Sequence, residues 1–267
     1  MSISLLVGTG LLLSVQFRFI QVRYFKQAML VLFSNRCKKS SSDKLSGFQA
    51  LSTVLSGTIG TGNIAGVATA IVVGGPGALF WMWVTGFLGM ATKFTSCTLG
   101  HYYRKKDSQN KIIGGPMITL MHGLKYNNLA KIFAFFMILG TLSTGSMVQA
   151  NSITEGISYI IPSISNYRLL MGVIISILAG IVIIGGVKRI AHVAEVIVPF
   201  MALAYVCTAF FILCAHYDQV PGTFRMIFSH AFSIEAIAGT SIWLVIRSGV
   251  ARGLFASEAG LGTAPIA

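Results

Sequence analysis

Charge is what this sequence has least of. Of its 267 residues, 7 are acidic and 20 are Lys or Arg, so charged residues make up 10% of the chain; an average soluble domain carries about 25%. From Leu45 to Thr92 there are 48 consecutive residues without Lys, Arg, Asp, Glu or His. A run of that length excludes a soluble domain and exceeds the about 20 apolar residues that cross a bilayer. The scarcity of acids also argues against an enzyme: no His/Asp/Glu cluster has catalytic spacing, and the 5 His residues are scattered. Four cysteines, Cys37, Cys97, Cys207 and Cys214, form neither a CxxC pair nor a metal-ligand pattern. They read as small hydrophobes, without a disulfide framework. The uncharged stretch Met1–Phe17 lacks a basic leading segment and a small-residue cleavage site, so it reads as a short or N-terminally clipped first span rather than a signal peptide. Neither a ring of charges nor a repeated filter motif supports a channel.

What remains is apolar. Hydrophobic residues make up 54% of the chain, with a mean hydropathy of +0.77, and the chain reads as an all-α integral membrane protein. Uncharged runs define seven spans, at roughly 2–20, 48–73, 77–100, 130–152, 168–187, 195–216 and 230–251. The last contains Glu235 and Gly239-Thr-Ser241, and it reads as a second interrupted helix. The net charge of +13 sits in short gaps between spans, the pattern of positive charge kept at a cytoplasmic face, so no nucleic-acid partner is needed to explain it. Basic residues crowd 18–44 (seven of them), 101–131, and the turn at Lys188 and Arg189; the alternate connections are nearly free of them. All the basic loops then fall on one side, which places the N-terminus outside and residue 267 inside the plasma (inner) membrane. Gly114–Leu124 is too short to span and reads as a helix at the cytoplasmic surface, with Pro116 near its start.

Within the uncharged run lies Gly57-Thr-Ile-Gly-Thr-Gly-Asn-Ile-Ala-Gly66, followed by the turn Gly74-Gly-Pro-Gly77. The glycines do not make a dinucleotide site, because no soluble βαβ unit surrounds them and the next acid is Asp107. Gly62-Asn-Ile-Ala-Gly66 also reads as a GxxxG pair for close helix packing. Packing leaves Thr58, Thr61 and Asn63 unexplained, since their polar groups are costly in lipid unless paired. An unwound segment accounts for them. Amides at a half-helix N-terminus suit a carboxylate, and freed carbonyls suit a cation.

Gly57–Ile71, the following Gly-Gly-Pro-Gly-Ala-Leu-Phe-Trp-Met-Trp and Gly89-Met-Ala-Thr-Lys93 together resemble the sodium:alanine (alanine or glycine:cation) symporter family. Further matches, in family order, are Gly114-Gly-Pro-Met117, Gln149-Ala-Asn-Ser152, Lys188-Arg-Ile190, Val250-Ala-Arg-Gly-Leu-Phe255, Glu258-Ala-Gly-Leu-Gly262 and Ala264-Pro265. The resemblance implies a LeuT-like inverted-repeat transporter, incomplete here: an extra N-terminal helix and basic loop over 1–46, the first repeat over 47–228, and the start of the second over 229–267. It implies sodium-coupled symport of alanine or glycine, with Na+ as coupling ion and no cofactor. The substrate residues it implies are Gly60, Thr61, Gly62, Asn63 and the facing Gln149; sodium would be held by backbone carbonyls near Ser56 and Ile59. Gln149 also reads as an amide bonded to a neighbouring helix, and Glu258 as either a partner of Arg252 or a gate residue. Lys93 is expected to reach the headgroups, and Trp81 and Trp83 to anchor the interface. The chain departs from the family pattern at Ser96, Ser146 and Ala256-Ser257, where an acid, an Asn and Ser-Asn are usual. Because the family continues well past Ala267, the alternative expectation is a non-transporting truncated or split remnant that acts only with a second chain supplying the missing helices.

Overall fold

The structure is a computed structural model that describes residues 2–33, 47–106, 112–232 and 242–266. It is built from helices, with one two-stranded hairpin. Helix α1 (Ser2–Gln16) ends where Arg18 and Phe19 both turn left-handed, with φ of 51° and 52°, and two short helices follow, α2 (Ile20–Arg23) and α3 (Phe25–Phe33). The uncharged run becomes three helices: α4 (Gly47–Thr58), α5 (Thr61–Gly74) and α6 (Ala78–Tyr102). The turn between α5 and α6 uses Gly75 at φ 71°, a conformation open to glycine. At Gly77 the backbone presses directly on the His230 carbonyl and leaves no room for a Cβ.

The strands Lys105–Lys106 and Ile112–Ile113 pair antiparallel, a hairpin that the sequence reading did not anticipate. After it, Gly115 at φ 108° leads into α7 (Pro116–His122), with Pro116 in the first turn. This is the short helix expected over Gly114–Leu124. Next come α8 (Asn127–Gly140), a wide π-helical stretch over Thr141–Met147, and α9 (Val148–Ile160), followed by α10 (Arg168–Ile183), α11 (Gly186–Ala215), α12 (Val220–Phe232) and α13 (Ile242–Ser257). Lys188 and Arg189 stand in the first turn of α11 rather than in the turn before it.

Among the described residues, four helical stretches are long and apolar enough to cross a membrane: Phe48–Gly74, Asn127–Ile160, Pro162–Ile183 and Gly186–Ala215. They correspond to four of the seven expected spans. Of the other three, α1 is apolar but short. Helix α6 has 25 residues, but its composition is diluted by Thr, Ser and Gly. The expected span at 230–251 crosses 233–241, where Glu235 and Gly239-Thr-Ser241 lie outside the described residues.

Packing follows the logic of a bilayer rather than of water. The buried apolar residues are mostly small, among them Ala70, Ala78, Ala91, Ala130, Ala191, Ala194 and Ala231. The largest side chains point outward: Leu169, Ile184, Phe200 and Phe211 are each at least 73% exposed. Small residues let helix backbones approach closely where the surrounding lipid is as apolar as leucine. Gly249 and Gly253, four apart on α13, show this directly. A Cβ on Gly249 would lie 2.8 Å from the Trp81 Cβ, and one on Gly253 would lie 3.0 Å from the Thr85 Cβ, so α13 lies flush on α6. Trp81 also donates from Nε1 to the Ala231 carbonyl at 3.2 Å, and Trp83 packs on Phe224 and Phe228 of α12. Both rings therefore join α6 to α12. On the other flank α11 lies along α4, where Gln49 Nε2 donates to Glu195 Oε2 at 2.9 Å.

Candidate functional site

Ile59 and Gly60 separate α4 from α5, so the interruption expected around Thr58–Gly66 is present and two residues long. Gly60 is extended (φ −160°, ψ −155°), a conformation any residue adopts. Its role is space: a Cβ there would lie 3.4 Å from Gln149 Nε2. No side chain caps the N-terminus of α5, and the first N–H groups of a helix have no partner within it. Those amides and the positive end of the helix dipole face the break.

Two side chains bridge this region. Asn63 Nδ2 donates to the Thr58 carbonyl at 2.6 Å and ties the start of α5 to the end of α4. Thr61 Oγ1 donates to Gln149 Oε1 at 2.6 Å and ties α5 to α9. Gln149 is thus bonded to a neighbouring helix and also borders the cleft at the break. Around it the cleft is lined by Gly57, Gly60, Gly62 and Gly145 together with Phe255 and Glu258. The four glycines leave room for a ligand with a very small side chain and expose main-chain groups to it.

The carbonyls of Ser56 and Ile59 accept no hydrogen bond among the described residues. Both belong to the stretch where the break removes the usual acceptor–donor pairing, because the Gly60 N–H makes no helical bond. Hard cations prefer such carbonyl oxygens. No group of three or more His, Cys, Asp or Glu gathers anywhere among the described residues.

Two polar residues and one helical stretch differ from expectation. Lys93 does not reach toward headgroups. Its Nζ donates to Thr58 Oγ1 at 2.8 Å and to the Ser257 carbonyl at 3.3 Å, directly beneath the break. Glu258 is not paired with Arg252; its Oε2 accepts from Thr263 Oγ1 at 2.9 Å, and the carboxylate faces Gly57. The third is the π-helical stretch before Gln149, which the sequence did not reveal. Lys93 left one trace, as the single charge that ends the 48-residue uncharged run.

The sequence that folds in this way matches a known protein family along its whole length. A profile of the sodium:alanine symporter family matches residues 1–267. This chain belongs to the sodium:alanine symporter family. Among its relatives, the sodium/alanine symporter AgcS of Methanococcus maripaludis is 44% identical over 98% of the chain and 58% of its own length. An uncharacterized transporter of Haemophilus influenzae is also 44% identical, with the same coverage of both proteins. YrbD of Bacillus subtilis, provisionally named a sodium/proton-dependent alanine carrier protein, is 42% identical over 98% of the chain and 53% of its own length. The chain spans about half the length of these relatives. The family and the relatives named here are transporters and not enzymes, and the apolar helices of this chain are those of a membrane protein.

Proposed function

We propose that the chain carries the first half of a sodium-coupled symport machine for a small neutral amino acid, alanine or glycine, in the plasma membrane. The observation that carries this reading is the break itself: uncapped amides of α5 and the Thr61–Gln149 pair lie on one side, and the unpaired carbonyls of Ser56 and Ile59 on the other. A zwitterion and a sodium ion complement those groups. The substrate carboxylate meets the N-terminal amides at Gly60, Thr61 and Gly62, and the ammonium is held by the oxygen side of the break and by Gln149. Asn63 closes the site by holding α5 to α4. Sodium sits against the Ser56 and Ile59 carbonyls, so that neither ligand binds well without the other.

In this account residues 47–228 form one repeat of a LeuT-like inverted pair, and 229–267 begin the other. The remaining wall of the site belongs to the rest of that second repeat. The basic ends of the helices face the cytoplasm, and the N-terminus lies outside. The names of AgcS and YrbD support alanine as substrate and sodium as coupling ion.

The test is uptake of radiolabelled alanine by membrane vesicles containing the whole protein. An inward sodium gradient drives uptake, and Asn63→Ala abolishes it while the protein still reaches the membrane. Uptake unchanged in Asn63→Ala overturns the assignment of that residue, and uptake indifferent to sodium overturns the coupling.

A further inference from the structure

Two helices end at the same side chain. Helix α4 finishes at Thr58 and α13 at Ser257, and the Lys93 ammonium of α6 bonds to the Thr58 hydroxyl at 2.8 Å and to the Ser257 carbonyl at 3.3 Å. Each helix C-terminus carries roughly half a negative elementary charge. Two of them converging here are matched by about one positive charge, that of the ammonium, before any side-chain acid is counted. The Glu258 carboxylate follows α13 by one residue and faces Gly57. Thr58 is arranged to accept from Lys93: its hydroxyl donates its own proton to the Val54 carbonyl at 2.9 Å, and its main-chain carbonyl is already taken by Asn63. The oxygens bonded to Nζ are therefore one hydroxyl and one main-chain carbonyl. That is a donor set suited to a small hard cation.

We propose that Lys93 is a resident cation, filling with its own ammonium a monovalent-cation site formed by the C-terminal ends of α4 and α13. The ammonium locks the floor of the break to α13 and therefore keeps Thr58, and through it Asn63, in place. With the side chain shortened, the site takes up a free cation of the same class, sodium or a primary alkylammonium ion. This position is separate from the Ser56 and Ile59 carbonyls and does not depend on what the protein transports.

The test measures Tm of the purified full chain in lipid nanodiscs, for wild type and Lys93→Ala. The chloride salts of sodium, propylammonium and tetramethylammonium are compared at equal ionic strength. Lys93→Ala should lower Tm by roughly 5–10 °C, since removal of one partner leaves the opposing charge uncompensated. Sodium or propylammonium should restore at least half of that loss, and tetramethylammonium, which has no N–H donor and is too large, should restore none. Wild type should not distinguish the three salts by this margin. An unchanged Tm in Lys93→Ala overturns the proposal; so does a loss that all three salts, or none, restore. If Lys93→Ala does not fold, Thr58→Val on the wild-type background decides, because it removes one oxygen and keeps the shape. A lowered Tm is then expected, and an unchanged one overturns the proposal.

Discussion

Gly60 illustrates how little a glycine-rich motif reveals until its backbone is seen. Its extended conformation would suit alanine, and an added Cβ would meet Gln149 Nε2 at 3.4 Å, an ordinary contact on the wall of the cleft. Gly60→Ala should leave the fold and Tm nearly unchanged while its methyl group occupies space in the cleft beside Gln149. Alanine affinity should then fall about tenfold, near 1.4 kcal/mol, as read from the half-saturating concentration for uptake. A loss of folding with retained affinity would mean that the glycine serves the backbone. Asn63 and Lys93 converge on one residue, Thr58, which offers its carbonyl to the first and its hydroxyl to the second. The sequence exposed Asn63 because an amide in an apolar run is conspicuous. It concealed the role of Lys93, because a lysine two to three turns from a helix end can snorkel outward or fold inward, and only the position of Thr58 decides between them.

At the scale of elements, the break and the turn at Gly74–Gly77 were legible because missing charge, glycine density and length constrain an apolar run together. The join of α8 to α9 was not. Thr141–Met147 is wound with i→i+5 hydrogen bonds, a local pattern without a compositional signature, and it lies immediately before Gln149. A residue removed from it would restore α-helical winding and turn Gln149 by about 100° relative to α8. Deletion of Ser143, an exposed position in that stretch, should therefore abolish alanine uptake as fully as Gln149→Ala, with helix content by circular dichroism preserved. Retained uptake would show that the π-helical winding does not set the Gln149 position. The close seat of α13 on α6 at Gly249 and Gly253 was similarly hidden. Attention had gone to the GxxxG pair at Gly62 and Gly66, whereas the tighter contacts lie on α13.

At the scale of the whole molecule, the outward face of large side chains and the interior of alanine and glycine describe a protein whose solvent is lipid. The alternation of basic and non-basic connections is the basis of the proposed direction across that lipid. In a variant with its native cysteines replaced by alanine, Ser165→Cys should react with a membrane-impermeant maleimide on intact cells, and Lys105→Cys only after permeabilisation. The reverse pattern would invert the topology and move the basic hairpin outside. The sequence read seven spans where four stretches are both long and apolar enough. Of the other three, 230–251 lies partly outside the described residues, α1 is apolar but short, and α6 is packed against α1, α12 and α13. A helix sheltered by its neighbours tolerates polar residues that a lipid-facing helix does not. Charge counts locate a helix of this kind, while hydropathy undervalues it.

The most direct measurement is an alanine-binding isotherm for the whole protein in nanodiscs, with sodium and with choline in its place, for wild type and Gln149→Ala. The account predicts saturable alanine binding that requires sodium in wild type and is weakened at least tenfold in Gln149→Ala at unchanged Tm. Binding that is equal in sodium and choline, or equal in the two proteins, would contradict it.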